Sequence, residues 1–179
     1  MKAGSERSGR NAPDPRPPVP DPQAGVLHGT FSIVRSLAAP PQRVFAAFAE
    51  PALRTRWFHI PGDSEHELDF RVGGHEVLRG SLVPAGVPEH VEYRSQFLDI
   101  VADQRIVYVY ELLVDGRKQS VSLVTVELMP ADSATRLTFT EQYVFVALTG
   151  DGRADVAERE GGTRLRLNSL AGIVARTDE

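Results

Sequence analysis

The feature that most constrains this chain is the stretch from Ser64 to Phe145. There apolar and polar residues alternate with a period of two, and the breaks are only a few residues long. Alternation of this kind sends successive side chains to opposite faces of β-strands. Six strands are expected, near 64–71, 75–83, 90–101, 104–114, 119–129 and 134–146. The breaks carry turn chemistry: Gly73-Gly74, Pro84-Ala85-Gly86, Ala102-Asp103, Asp115-Gly116 and Pro130-Ala131-Asp132. A parallel crossover needs about a dozen residues or more, so breaks this short dictate an antiparallel meander.

Upstream, residues 31–37 read as a first strand, stopped by Ala38-Ala39-Pro40-Pro41. Pro41 suits the first turn of a helix, on which Val44, Phe45 and Phe48 share a face. Pro51 restarts a second short helix carrying Leu53, Trp57 and Phe58. Downstream, 147–162 reads as a polar, glycine-rich loop whose run Glu158-Arg159-Glu160 is solvated. Thr163 is then the cap of a closing helix over 164–176, with Leu167, Leu170, Ala171 and Val174 on one stripe. A single stripe suits a helix lying along a curved sheet. The fold class is α+β, with about seven antiparallel strands and a long C-terminal helix.

A length of 179 residues fits one domain, expected over 26–179. Residues 1–25 hold six of the 13 prolines and almost no large apolar side chain, so they are expected to form a disordered tail. The net charge of −4 argues against nucleic acid as a partner. With no cysteine, disulfides and thiolate chemistry are excluded. No run approaches the roughly 20 apolar residues of a membrane span, and the default compartment is the cytoplasm.

Strand parity places Phe70 with Leu68, Tyr93 with Phe97, Tyr108 with Tyr110, and Leu137 with Phe139 and Tyr143 on common faces. On the concave side of a curved sheet these rings either line a pocket or fill a core. Glu141 falls between Phe139 and Tyr143, on the face assigned to the interior. A carboxylate there needs a partner such as a tyrosine hydroxyl or an arginine, a raised pKa, or a bulge that turns it outward. Glu111 has the opposite parity to the tyrosines and is expected to face solvent. His59, His66, Asp69 and His75 share one window without any fixed ligand spacing, so no metal is expected. Nucleophile elbows and phosphate loops are absent from the sequence, and no cofactor is implied.

The run Ala39-Pro40-Pro41-x-x-Val44-Phe45-x-x-Phe48-x-x-Pro51-x-Leu53-x-x-x-Trp57-Phe58 resembles the opening signature of the START-like, or polyketide-cyclase-like, SRPBCC superfamily. Asp69-Phe70-Arg71-Val72-Gly73-Gly74, Thr135 to Glu141, and Gly162-Thr163 followed by Leu167 and Leu170 are similar to later motifs of one branch. That branch is related to the C-terminal domain of activators of the Hsp90 ATPase, and the likeness covers about 150 residues. The resemblance implies a helix-grip fold, in which the sheet holds the last helix over a cavity. It further implies binding of a small hydrophobic or aromatic molecule. Trp57 and Phe58 would stand near the entrance, and Phe70, Tyr93, Phe97, Tyr108, Tyr110, Phe139 and Tyr143 would form the wall. Leu167 and Leu170 would lie on the lid, and Glu141 would supply a polar contact. Two alternatives stay open: a cyclase or dehydratase using Glu141 as acid/base, and a regulator of an Hsp90-type ATPase. Catalysis is the less favoured reading, and a homodimer is left open.

Overall fold

The computed structural model describes residues 25–83 and 86–175. Residues 1–24, 84–85 and 176–179 lie outside the described residues. With them fall the proline-rich tail, the Pro84-Ala85 turn and the last residue expected of the closing helix.

Seven strands form one antiparallel sheet in the order β1-β7-β6-β5-β4-β3-β2. They are β1 (Leu27–Leu37), β2 (Ser64–Leu68), β3 (His75–Leu82), β4 (Glu89–Val101), β5 (Arg105–Val114), β6 (Arg117–Ala131) and β7 (Ala134–Phe145). The expected meander thus holds from β2 to β7. The first strand closes the far edge by pairing with the last, Leu27 opposite Phe145 and Leu37 opposite Thr135. That ladder brings β1 into order from Leu27, four residues before the expected start. In the other direction, β2 stops at Leu68, because Asp69 already turns towards Gly74 through the Arg71 and Gly74 amides.

Asp115 and Gly116, at φ 49° and 74°, make the tight β5–β6 hairpin. Positive φ at both central residues matches the right-handed twist of the flanking strands. The Asp115 carboxylate also accepts the His90 amide at 2.9 Å. Register shifts leave Leu98 of β4 and Gln119 of β6 as extra residues, and these bulges bend the two strands and help to curve the sheet.

Two short helices follow β1, α1 (Pro41–Ala49) and α2 (Pro51–Arg54), each with proline in its first turn. Val44, Ala47 and Phe48 bury one face of α1. The indole of Trp57 donates to the Ala47 carbonyl at 2.7 Å and ties the segment after α2 back to α1.

The closing helix α3 runs Arg153–Val174, eleven residues longer at its start than the sequence predicts. Residues expected to form a loop over 147–162 are therefore helical from 153, and Thr163 lies inside the helix instead of capping it. Gly152 takes φ 80° at the helix start, and Asp155 in the first turn accepts the Thr149 amide at 2.7 Å. A carboxylate there also suits the positive end of the helix dipole. Leu167, Leu170 and Val174 bury the expected stripe against the concave face, while Leu165 is 69% exposed. The core lies between this face, α3 and the two short helices. None of the described helices is long and apolar enough to cross a membrane.

Candidate functional site

Period two places a ring-rich surface on the concave face. Tyr93 and Phe97 of β4 stand beside Tyr108 and Tyr110 of β5, and all four are buried. Tyr93 and Tyr110 have ring centroids 4.9 Å apart, Phe97 and Tyr108 6.0 Å. Phe70 meets Phe97 edge-on at 4.9 Å, and Phe58 meets Tyr93 in the same way at 5.0 Å. Trp57 and Phe58 are themselves buried core residues, not rim residues: Trp57 packs edge-on against Phe48. Phe139 and Tyr143 lie farther along, around Phe31 of the edge strand. Tyr143 is only half-buried and lies across Gly29, where a Cβ would come within 2.0 Å of its hydroxyl. The structure therefore gathers Phe58, Phe70, Tyr93, Phe97, Tyr108 and Tyr110 on one side, with Phe139 and Tyr143 at the β1 edge.

Glu141 is completely buried, as parity predicts, and its partners come from three elements. Its Oε1 accepts the Tyr110 hydroxyl at 2.6 Å, the Ser122 hydroxyl at 2.7 Å and the Arg159 guanidinium at 3.0 Å. Arg159 also donates to Ser120 at 2.6 Å and to Tyr110 at 2.7 Å. Its guanidinium stands 5.1 Å from the Phe145 ring centroid. Burial opposes the Arg159 charge, but Tyr110 and Glu141 outweigh it and hold the guanidinium protonated. The run Glu158-Arg159-Glu160 is thus not a solvated loop. Its central residue is on α3 and faces the sheet. Burial pushes the Tyr110 phenol well up, with Arg159 opposing and Glu141 adding to the shift. The other carboxylate oxygen of Glu141, Oε2, is buried with no hydrogen-bond partner.

A second ionic cluster lies at the opposite end of the concave face, and sequence reading missed most of it. Arg54 of α2 makes two parallel bonds to Glu76 of β3, at 2.7 and 2.8 Å. His66 of β2 reaches Glu76 Oε1 at 2.8 Å. The Arg54 guanidinium is stacked on Phe58 and Trp57, 4.0 and 4.3 Å from their centroids. Burial alone would raise the Glu76 pKa, but Arg54 and His66 outweigh it and hold it at about 2. Parity could have found Glu76, since it shares a face with the buried Leu78.

Among the described residues, the Tyr93 and Ser95 hydroxyls between the two clusters, and Arg54 Nη1 at the edge of the second, are buried with no hydrogen bond to another element. Burial raises the Tyr93 and Tyr108 phenols far out of the physiological range, so both are neutral donors. Arg166 of α3 reaches into the same region, its guanidinium 4.6 Å from the Phe58 centroid. Two open grooves lie elsewhere. One of about 520 Å³ runs between the start of α1, the β4–β5 turn and β6. The other, of about 460 Å³, lies mostly on the outer face over β1, β7 and β6, with Val109 of β5 at its end. Among the described residues no group of three or more His, Asp or Glu is placed to hold a metal ion.

An antiparallel sheet curved around one long C-terminal helix, with two short helices after the first strand, is a helix-grip fold of the START-like class. Residues 38–175 match the family described as "Activator of Hsp90 ATPase homolog 1-like protein", and the chain belongs to this AHSA1-like branch of the SRPBCC superfamily. The crystal structure of Mll3558 from Rhizobium loti is 44% identical, with a TM-score of 0.74, over 83% of this chain and 99% of that one. An uncharacterised protein from Rhizobium leguminosarum is 35% identical, also with a TM-score of 0.74, over 86% and 98% of the two chains. CalU16 from Micromonospora echinospora, 18% identical over 85% and 87% with a TM-score of 0.56, shares the fold. No curated protein sequence matches the chain significantly.

Proposed function

We propose that the domain over 26–179 binds a small hydrophobic or aromatic molecule on the concave face of its sheet, beneath α3. One observation carries this reading. Tyr93 and Ser95 sit two residues apart on the ring-lined wall, and among the described residues neither buried hydroxyl has a hydrogen-bond partner beyond the other. Folded proteins seldom leave buried polar atoms bare, because each costs roughly 1–3 kcal/mol. A ligand that stacks on Tyr93, Tyr108, Tyr110 and Phe97 and offers these hydroxyls an acceptor repays that cost. The family resemblance favours the same reading.

A thermal-shift panel of flavonoids, fatty acids and aromatic polyketides tests it. A ligand at about a hundred times its Kd adds about 2.7 kcal/mol to the stability of the folded state. Tyr93→Phe should weaken a binder about five- to tenfold while leaving the aromatic wall in place. A panel in which nothing raises Tm, together with a native mass spectrum free of any co-purified molecule, would refute the proposal.

A cyclase or dehydratase reading is favoured by Glu141 alone. Three donors fix its Oε1 and leave Oε2 bare. An oriented carboxylate with one free oxygen is what a general base requires. Under this reading Glu141→Gln abolishes turnover of a polyketide substrate but keeps its binding, and equal turnover in the variant rejects it.

A further inference from the structure

Arg159 and Arg166 lie seven residues, or two helical turns, apart on α3, so both face the sheet about 10 Å from one another. The first meets Glu141. The second meets no carboxylate and makes no hydrogen bond among the described residues. Its surroundings are the Phe58 ring, the phenols of Tyr110, Tyr93 and Tyr108, and a second cation, Arg54. Burial and Arg54 both lower the Arg166 pKa, and only neutral phenols work the other way.

Charge balance over the concave face points the same way. Three guanidiniums, Arg54, Arg159 and Arg166, stand there against two carboxylates, Glu76 and Glu141. Both carboxylates are already held by the other two arginines. Among the described residues the buried unpartnered atoms of this face are Arg54 Nη1, which only donates, Glu141 Oε2, which only accepts, and the Tyr93 and Ser95 hydroxyls, each of which can donate to an anion. Arg166 is half-buried with its guanidinium against a ring, so it has lost part of its hydration without gaining a counterion, and an anion bound beside it would supply that charge.

We infer that the molecule bound here carries an acidic oxygen group, a carboxylate in the first instance, which pairs with Arg166 and accepts from Tyr93, Ser95 and Arg54. Its apolar body then lies on the rings of Phe58, Tyr93, Tyr108 and Tyr110. This rests on the ligand-binding reading above and adds the charge of the ligand to it. Glu141 on Arg159 is the internal precedent: the ligand's acid does for Arg166 what a side chain does two turns earlier.

Matched pairs of an acid and its neutral amide test this on the full chain: 2-naphthoate against 2-naphthamide, and laurate against dodecanamide, measured by calorimetry and thermal shift. The expected result is acid binding at least about tenfold tighter than amide binding, a preference that Arg166→Gln abolishes and Arg166→Lys partly keeps. Arg166→Gln should also leave the ligand-free Tm unchanged or higher, because it removes an uncompensated charge. An arginine that serves only to support the helix would lower it. Equal binding of acid and amide overturns the acidic-ligand inference and leaves the binding reading standing. An acid preference that survives in Arg166→Gln overturns the assignment to Arg166. If neither member of either pair binds, the acidic-ligand inference falls, and the thermal-shift panel with native mass spectrometry decides the binding reading separately. Should Arg166→Gln fail to fold, the acid–amide contrast in the unmodified protein still decides.

Discussion

The two buried carboxylates of the concave face are solved differently. At one end, both oxygens of Glu76 are taken by the parallel fork of Arg54, and His66 adds a third bond. The guanidinium is then boxed by Phe48, Trp57 and Phe58. At the other end, every partner of Glu141 converges on one oxygen and the second has none. The closed cluster ties α2 to β2 and β3 and leaves one guanidinium nitrogen free. The half-open cluster ties α3 to β5, β6 and β7 and keeps an oxygen bare. Saturation marks a structural fastening, and incomplete saturation marks a place where something else can bind. Each prediction below sets one cluster against the other.

Removing one partner from the closed cluster should have the largest effect. Arg54→Met leaves Glu76 as a buried, poorly compensated charge, which typically costs about 3–5 kcal/mol. Urea unfolding should show this as a lowered midpoint at constant m-value. Replacing both partners, Arg54→Met with Glu76→Leu, should restore at least half of the loss, because two apolar groups need no counterion. Glu141→Gln should cost less, about 1–3 kcal/mol, since the amide oxygen still accepts from Tyr110 and Ser122. If Glu141→Gln proves the more damaging of the two, the half-open cluster is the real fastening and the contrast is reversed.

Acid should separate the clusters next. The folded-state pKa of Glu76 is depressed from an ordinary 4.5 to about 2, so folding favours the ionised form. Its contribution is complete above the unfolded value and is lost as the pH falls through the folded one. At about 1.4 kcal/mol per unit, the gap corresponds to roughly 3 kcal/mol. The measurement is the stability difference between the unmodified chain and Glu76→Gln, followed from about pH 6 down to about pH 2. The difference should shrink across that window. A constant difference would mean that Arg54 does not favour the ionised carboxylate over the neutral one.

How legible all this was in the sequence depended on the range of the interaction. Period-two alternation and turn residues are local signals, and they located the strands of the meander and put Glu141 inside. The same parity rule reaches Glu76, which sits two residues before Leu78 on a buried face, but nothing local names Arg54 as its partner 22 residues away. The start of α3 was hidden by competing local signals. Gly150, Gly152 and the Gly161-Gly162 pair read as a loop because glycine disfavours helix. Tertiary contacts override that preference: Asp155 bonds back to Thr149, and Arg159 is held by Glu141, Tyr110 and Ser120. Arg166, by contrast, is legible from the helical period. It lies one turn before Leu170 on the apolar stripe, and a charged residue on such a stripe is the helical equivalent of Glu141 on its strand.

The smallest effect expected is also the one that joins stability to access. Gly161 and Gly162 lie on α3 between Arg159, which is anchored, and Arg166, which is not. A Cβ built at either position meets nothing within 4 Å. Neither glycine is therefore required for packing, and each forgoes roughly 0.5–1 kcal/mol of helix stability relative to alanine. Gly161→Ala and Gly162→Ala should each raise Tm slightly, and together they should add about 1–2 kcal/mol. If the pair instead lets the half of α3 carrying Arg166 yield when a ligand enters, the stiffened helix will slow association in stopped-flow mixing while dissociation slows in step. A stability gain with unchanged association would leave the glycines without a role in access. A stability loss would mean that the middle of α3 packs more tightly than its open surroundings imply. Either result bears on α3 and the ligand it covers, because no residue of α3 takes part in the Arg54–Glu76 pair itself, which is carried by α2 and β3.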